Sequence, residues 1–179
     1  WPVLVEEKIN HHGEALALIA HPEKIMLHDA LKHIDIEIEE LPPIYDIDDS
    51  INKKEIIWRD DNTFKTYTIN KGNVDSAFKD AQHIFEAEYF TGAQEQLYIE
   101  NNGVIAEANK KEGVTVWGSL QCPYYIHSAL MPVFNMKEDK VRIVQAETGG
   151  GFGGKEEFPS LLAAHAALLA YKSNKPVKM

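Results

Sequence analysis

The chain has 179 residues with 18 Lys+Arg against 28 Asp+Glu, giving a formal net charge of -10. That balance excludes recognition of nucleic acid or of an anionic membrane surface through a basic face. At 44% hydrophobic and 26% charged residues the composition is that of a globular protein of one or two domains, not of a disordered chain.

No apolar run approaches the roughly 20 residues of a membrane-spanning helix, and Trp1-Pro2-Val3 lacks the basic-then-apolar layout of a signal peptide. A cytoplasmic protein is therefore expected. The single cysteine, Cys122, excludes an intrachain disulfide and any cysteine-held zinc or iron–sulfur cluster on this chain alone. Redox chemistry would need a borrowed cofactor.

The first elements read as strand, helix, strand. Ala15 to Ala20 is a short apolar run, and Pro22 opens a helix carrying Ile25, Met26, Ala30 and Leu31 at helical spacing. Ile34 to Glu39 then alternates apolar and acidic residues with period two, as in a strand with one buried face, until Leu41-Pro42-Pro43 ends it. Residues 51–72 are polar apart from two β-like pieces, Ile56-Ile57-Trp58 and Thr66 to Ile69, and read as a linker or hairpin.

A second α/β section begins with Asn73 capping a helix to Ala81, followed by an alternating strand from His83 to Phe90. Val114 to Gly118 reads as a strand, Tyr124 to Phe134 as a helix started by Pro123, and Val141 to Val144 as another strand. A final helix places Phe158, Leu161, Leu162, His165, Leu168 and Leu169 on one face, and Ser173 to Pro176 stops it. The chain stops at Val177-Lys178-Met179, where a further strand is expected, and so reads as a piece of something longer.

Between strand and helix lies Gly149-Gly150-Gly151-Phe152-Gly153-Gly154, five glycines in six residues. Such a loop brings backbone N–H groups close to a ligand at a helix start, which suits an anion or a metal-bound oxygen. The pattern G-x-G-x-x-G is met formally, but no acidic residue follows at the distance a ribose contact needs. G-x-x-x-x-G-K is met as well, with Glu156 standing where a phosphate loop needs Ser or Thr for magnesium. A plain packing turn is the simplest alternative, yet it would not need Phe152, Glu156 and Glu157 in its midst.

The segment Gly149 to Glu156 resembles the glycine loop of the molybdenum hydroxylases, the xanthine dehydrogenase and aldehyde oxidase family. Gln94-Glu95-Gln96-Leu97-Tyr98-Ile99-Glu100, followed by Gly103-Val104-Ile105-Ala106, is similar to that family's Q-E-x-x-Y-x-E segment, and Ser119-Leu120-Gln121 to its S-x-Q turn. Gly13 to Ala17 together with Glu39 to Pro43 resembles the end of the α/β hammerhead domain that precedes the molybdenum-binding domains. The resemblance implies a mixed α/β (α+β) architecture: residues 1–50 as the C-terminal part of a hammerhead domain, 51–72 as linker, and 73–179 as the first part of the molybdopterin-binding domain.

By resemblance, Gln121 matches the glutamine whose amide lies beside an oxo ligand of molybdenum, with a catalytic as well as a cofactor-binding role. Gly151, Phe152 and Gly153 match backbone that touches the same centre, and no residue of this chain is expected to ligate the metal directly. Glu156 matches the carboxylate that holds the ring of the substrate in xanthine-oxidising members, where aldehyde oxidases have a small apolar residue.

The implied activity is water-dependent hydroxylation of a purine or related N-heterocycle. An aldehyde-oxidising member and a non-catalytic scaffold relative are the alternatives. The implied cofactor is molybdopterin, plain or in its cytosine dinucleotide form, with 2Fe-2S clusters and FAD on partner domains or subunits and the remainder of the molybdenum subunit as a further partner. The base that activates the metal-bound hydroxide and most pterin-binding loops are expected beyond this stretch, so these 179 residues alone are expected to be inactive.

Other residues have simpler explanations. The eight histidines form no H-x-x-x-H pair or zinc-type arrangement, and His28 and His33 are wrongly spaced for one helix face. Cys122 follows Gln121 without a nearby base and suits a small packing residue. Glu37, Glu39 and Glu40 suit a solvated face, and Glu156 without its motif would be an ordinary glutamate in the first turn of a helix.

Overall fold

The structure is a computed structural model that describes residues 2–179. It divides into two compact units, one formed by the chain up to Asp35 together with Gln94–Met179, the other by Ile36–Ala93.

The first unit carries the core. Its four strands are β1 (Gly103–Asn109), β2 (Gly113–Ser119), β3 (Val141–Gln145) and β4 (Val177–Lys178), in the order β3-β2-β1-β4. β1 pairs antiparallel with β2 and with β4, whereas β2 and β3 run parallel. Parallel neighbours need a crossover, and here it is the helix Pro123–Phe134, called α4 because α1 (Lys24–Leu31), α2 (Ile47–Ile51) and α3 (Val74–Asp80) precede it. The last helix, α5 (Phe158–Ser173), joins the glycine loop to β4 and packs along β1 and α4.

Local signals explain where these helices begin and end. Pro123 occupies the first turn of α4, where its missing N–H is no loss, and Asn135 closes that helix in the left-handed conformation at φ 50°. Pro159 and Asn174 serve α5 in the same two ways. The β2 to β3 section matches the sequence reading closely, and β4 is the further strand expected after the last helix.

The buried face of α5 differs from the expected one. Ala163, Ala164, Ala166, Ala167 and Ala170 are buried, while Phe158 is exposed and the leucines only half-buried. The reason lies across the interface, where β1 offers Ala106 and Ala108. Small residues on both sides let helix and sheet approach closely, and Leu120, Ile126 and Leu130 fill the space beside them. His165 is buried as expected of that face, its Nε2 lying 2.7 Å from the Val3 carbonyl oxygen.

Several expected strands do not form. Residues 15–20, 34–39, 56–58, 66–69 and 83–90 pair in no ladder among the described residues. Alternation gives a segment one apolar face, but a strand exists only where a neighbouring edge accepts its N–H and C=O groups. Within Ile36–Ala93 no such edge is present, and Ile36, Ile38, Phe85 and Phe90 lie exposed. Order there is local instead. Asn73 Oδ1 accepts from the Ser76 N–H at 2.9 Å as the cap of α3, and Asp46 caps α2 in the same way. Asn62 ties a loop by accepting from the Ile57 and Trp58 N–H groups while donating to the Ser50 and Glu55 carbonyls.

β1 was not among the expected strands. Its alternation is masked because Ile105 points outward opposite Trp117, while the inward positions hold Val104 and two alanines.

Among the described residues no helix is long and apolar enough to cross a membrane.

Candidate functional site

Three segments that are far apart in sequence meet at the C-terminal end of β2 and the start of α5. They are Gln94–Asn102, the turn Ser119-Leu120-Gln121, and the glycine loop with Lys155 and Glu156.

The turn is held from below. Leu120 is fully buried, and its carbonyl accepts from Gln145 Nε2 at 2.6 Å and Thr148 Oγ1 at 3.4 Å. Gln121 is thereby delivered to the loop, where its main-chain N–H donates to the Lys155 carbonyl at 2.7 Å. Its side-chain Oε1 accepts from the N–H groups of Gly153 at 3.1 Å and Lys155 at 3.2 Å. With the oxygen so engaged, the Nε2 donor faces away from these bonds and has no acceptor among the described residues.

The loop backbone is shaped by this contact. A Cβ at Gly151 would overlap the Gln121 amide oxygen, so only glycine leaves room for that side chain. Phe152 adopts φ 49°, a left-handed conformation that a bulky residue rarely takes, and its ring is 76% exposed. Gly154 N–H closes the turn onto the Gly151 carbonyl at 2.8 Å.

Beside the loop is an open cleft of about 440 Å³ lined by Glu95, Gln96, Tyr98, Gly153, Gly154, Glu156, Glu157 and Phe158. The structure therefore brings Glu156 and Gly153 to one surface, with Gln121 bonded to the loop behind it. Phe152 stands out from the loop, and Gly151 is buried against Gln121.

One participant was missed by the sequence reading. Lys155 is fully buried, and its Nζ donates to Glu100 Oε1 at 2.8 Å and Ser119 Oγ at 3.0 Å while lying 5.1 Å from the centroid of the Tyr98 ring. The Ser119 hydroxyl donates to the same carboxylate oxygen. The Lys155 hydrogen bond, then those from Ser119 and the Gly149 N–H, hold the Glu100 carboxyl down at about 2, from an ordinary 4.5. All three residues stand in the family-like motifs, but nothing in a linear motif says that its lysine turns inward.

The donor set around Gln121 consists of a neutral amide and main-chain N–H groups. Such groups suit an oxygen-bearing ligand without competing for a metal. A Gln121 amide held through its oxygen and the exposed main chain at Phe152-Gly153 would suit an oxygen-bearing group, so the residues present fit a molybdenum cofactor. Among the described residues no three or more His, Cys, Asp or Glu gather to hold a metal ion.

The profile of the molybdopterin cofactor-binding domain family matches residues 58–179. The large molybdopterin subunit of nicotinate dehydrogenase from Eubacterium barkeri is 34% identical over 179 residues, covering 99% of this chain and 42% of that protein. A xanthine dehydrogenase from Dictyostelium discoideum is 30% identical over 177 residues, covering 99% of this chain and 13% of that protein. Among solved structures, a Cu,Mo-CO dehydrogenase in its carbon monoxide reduced state superposes with TM-score 0.79 at 20% identity, covering 98% of this chain and 24% of that one.

The chain belongs to the molybdenum hydroxylase family and carries its molybdopterin cofactor-binding domain. It spans less than half the length of these relatives.

Proposed function

We propose that this chain is the section of a molybdenum hydroxylase that presents Gln121 to the cofactor and Glu156 to a purine or related N-heterocycle, which is hydroxylated with water as the oxygen source. The observation that carries this reading is the Gln121 amide, whose oxygen is bound by the glycine loop while its Nε2 is left to donate. When bound, the molybdenum cofactor supplies the oxygen-transfer and two-electron chemistry.

Each residue of the chain then has a defined task. Gln121 Nε2 would donate to the bound cofactor, and because its Oε1 is already held by the loop, the amide does not flip to present an acceptor instead. Gly151 leaves room for that amide, and Phe152-Gly153 present main chain toward the same ligand. Glu156 accepts an N–H of the heterocycle across the cleft, orienting the ring. Tyr98 and Phe158 offer aromatic walls to a planar ring.

The choice of substrate within the family follows from charge. Nicotinate, in the name of the Eubacterium relative, bears a carboxylate, whereas Glu95, Glu156 and Glu157 line one cleft here. Three carboxylates favour a neutral ring rich in N–H donors and disfavour an anionic one. An aldehyde, with no N–H to offer, leaves Glu156 without a partner.

The remaining assignments belong to the same proposal. Residues 1–50 form the C-terminal part of a hammerhead domain, 51–72 a linker and 73–179 the first part of the molybdopterin-binding domain. The pterin is plain molybdopterin or its cytosine dinucleotide. Electrons leave through 2Fe-2S and FAD groups on partner domains or subunits, the assembly is cytoplasmic, and the 179-residue stretch by itself is inactive.

The test is the molybdenum content of the full-length protein that contains this stretch, purified without added metal, beside a Gln121→Ala/Gly153→Val variant. Near-stoichiometric molybdenum that is lost in the variant, with turnover of a purine exceeding that of an aldehyde, supports the reading. Aldehyde turnover alone makes the protein an aldehyde-oxidising member, and active native material without molybdenum overturns the proposal.

A further inference from the structure

Lys155 does more than end the glycine loop. Its main chain grips Gln121 at both groups, through the carbonyl that accepts from Gln121 N–H and the N–H that donates to Gln121 Oε1. Its side chain is anchored elsewhere, on Glu100 and Ser119. A buried ammonium tolerates few alternative positions, because each one that lacks acceptors leaves a desolvated charge unpaired. Whatever fixes the ammonium therefore fixes the main chain that cages Gln121.

The anchor also spans the segments that build the site. Glu100 lies near the end of Gln94–Asn102, it receives the Ser119 hydroxyl and packs closely against Gly149, and Ser119 stands two residues before Gln121 on the same turn. One carboxylate thus bonds to Lys155 at one end of the glycine loop, packs on Gly149 at the other, and accepts from the turn that carries the amide. Tyr98, beside the ammonium, leaves room for the loop only because residue 154 is glycine, whose added Cβ would overlap the ring.

We propose that Lys155, Glu100 and Ser119 form a positioning device that sets the direction of the Gln121 amide and the path of Phe152-Gly153. The three residues touch neither cofactor nor substrate; they act through Gln121. This inference rests on the proposed function insofar as Gln121 serves a molybdenum centre, but the tie itself is a property of the protein without cofactor.

The test uses the full-length protein with Ser119→Ala, Ser119→Thr, Gln121→Ala and the Ser119→Ala/Gln121→Ala pair. Ser119→Ala removes one acceptor of the ammonium while leaving the Glu100 ion pair, and Ser119→Thr restores the hydroxyl. In cofactor-free protein, amide hydrogen exchange across 149–156 rises about tenfold in Ser119→Ala, stays at the wild-type rate in Ser119→Thr, and is unchanged across β1 and β2. In loaded protein, Ser119→Ala alters the electron paramagnetic resonance signal of partly reduced molybdenum and lowers kcat about tenfold with little change in KM. On the Gln121→Ala background the same substitution does nothing further, because the group it acts through is gone.

Unchanged exchange in Ser119→Ala, failure of Ser119→Thr to restore it, or fully additive effects of the two substitutions overturns the proposal. Should Ser119→Ala fold poorly, Glu100→Gln, which keeps size and one acceptor, is read by the same exchange measurement. Absence of molybdenum from the wild-type protein would remove the functional reading, while the exchange arm would still decide the positioning one.

Discussion

Gln121 and Lys155 are bonded to each other twice in opposite senses: the Gln121 N–H donates to the Lys155 carbonyl at 2.7 Å, and the Lys155 N–H donates to Gln121 Oε1 at 3.2 Å. The pair resembles a ladder rung in which one carbonyl has been replaced by a side-chain amide. It joins the end of the glycine loop to the turn after β2.

Gly151→Ala tests that join. The new Cβ overlaps the far end of the Gln121 side chain, which can swing away, and no positive φ is required at this position. The expected result is a loss of stability below about 1 kcal/mol in urea titration, with molybdenum content or turnover of the full-length protein falling about tenfold or more. Unimpaired turnover would mean that the Gln121 amide does not need its present direction.

Glu100→Gln addresses pH. The carboxyl is held at about 2 against an ordinary 4.5, with Lys155, Ser119 and Gly149 as donors. A lowered pKa means that the native chain binds the proton more weakly than the unfolded one, so this contribution is complete above 4.5 and is lost as pH falls toward 2. The variant is expected to show a shallower fall of its unfolding midpoint across that window, measured against wild type at matched ionic strength. Parallel curves would show that the ion pair adds nothing to acid stability.

Leu130→Ala probes the core beneath the site. Leu130 is fully buried on α4 among Leu120, Ile126 and the α5 alanines. A loss of about 2–5 kcal/mol is expected from the missing methyl groups and the cavity they leave, read as a shift of the urea midpoint at constant slope. A shift of under about 1 kcal/mol would indicate that the alanine-rich interface collapses into the space.

Glu156→Val bears on the substrate. If Glu156 accepts a ring N–H as proposed, deleting its carboxylate lowers kcat/KM for a purine by about 10–100-fold, the range of one charged hydrogen bond. Turnover of an aromatic aldehyde should hold or rise, since an apolar wall replaces an unpaired charge. Equal losses on both substrates would place Glu156 in the folding of the loop and not in recognition.

Much of the candidate site was legible in the linear sequence because each of its three segments is itself a local motif. Gly149 to Gly154 lie in one loop, Pro123 and Pro159 announce the helices on either side, and the family-like motifs contain Gln121, Glu156, Ser119, Tyr98 and Glu100. The inward turn of Lys155 was not legible, since its partners sit 36 and 55 positions away. Nor was the failure of the expected strands at 15–20, 34–39 and 83–90, because alternation reports a face and says nothing about a partner.

The sequence by itself determined the ends of α4 and α5, the strands on either side of α4 and the glycine loop between β3 and α5, but not α2. Prolines, caps and glycines act on the backbone within a few residues, so their effect survives without knowledge of the rest. Only the tertiary structure decided which segments pair into a sheet, which face of α5 is buried, and that Lys155 rather than a loop glycine ties the site together. Those outcomes depend on edges, volumes and charges brought together from distant positions. A buried ammonium is tolerable only where the fold supplies its acceptors, and here Glu100 and Ser119 supply them.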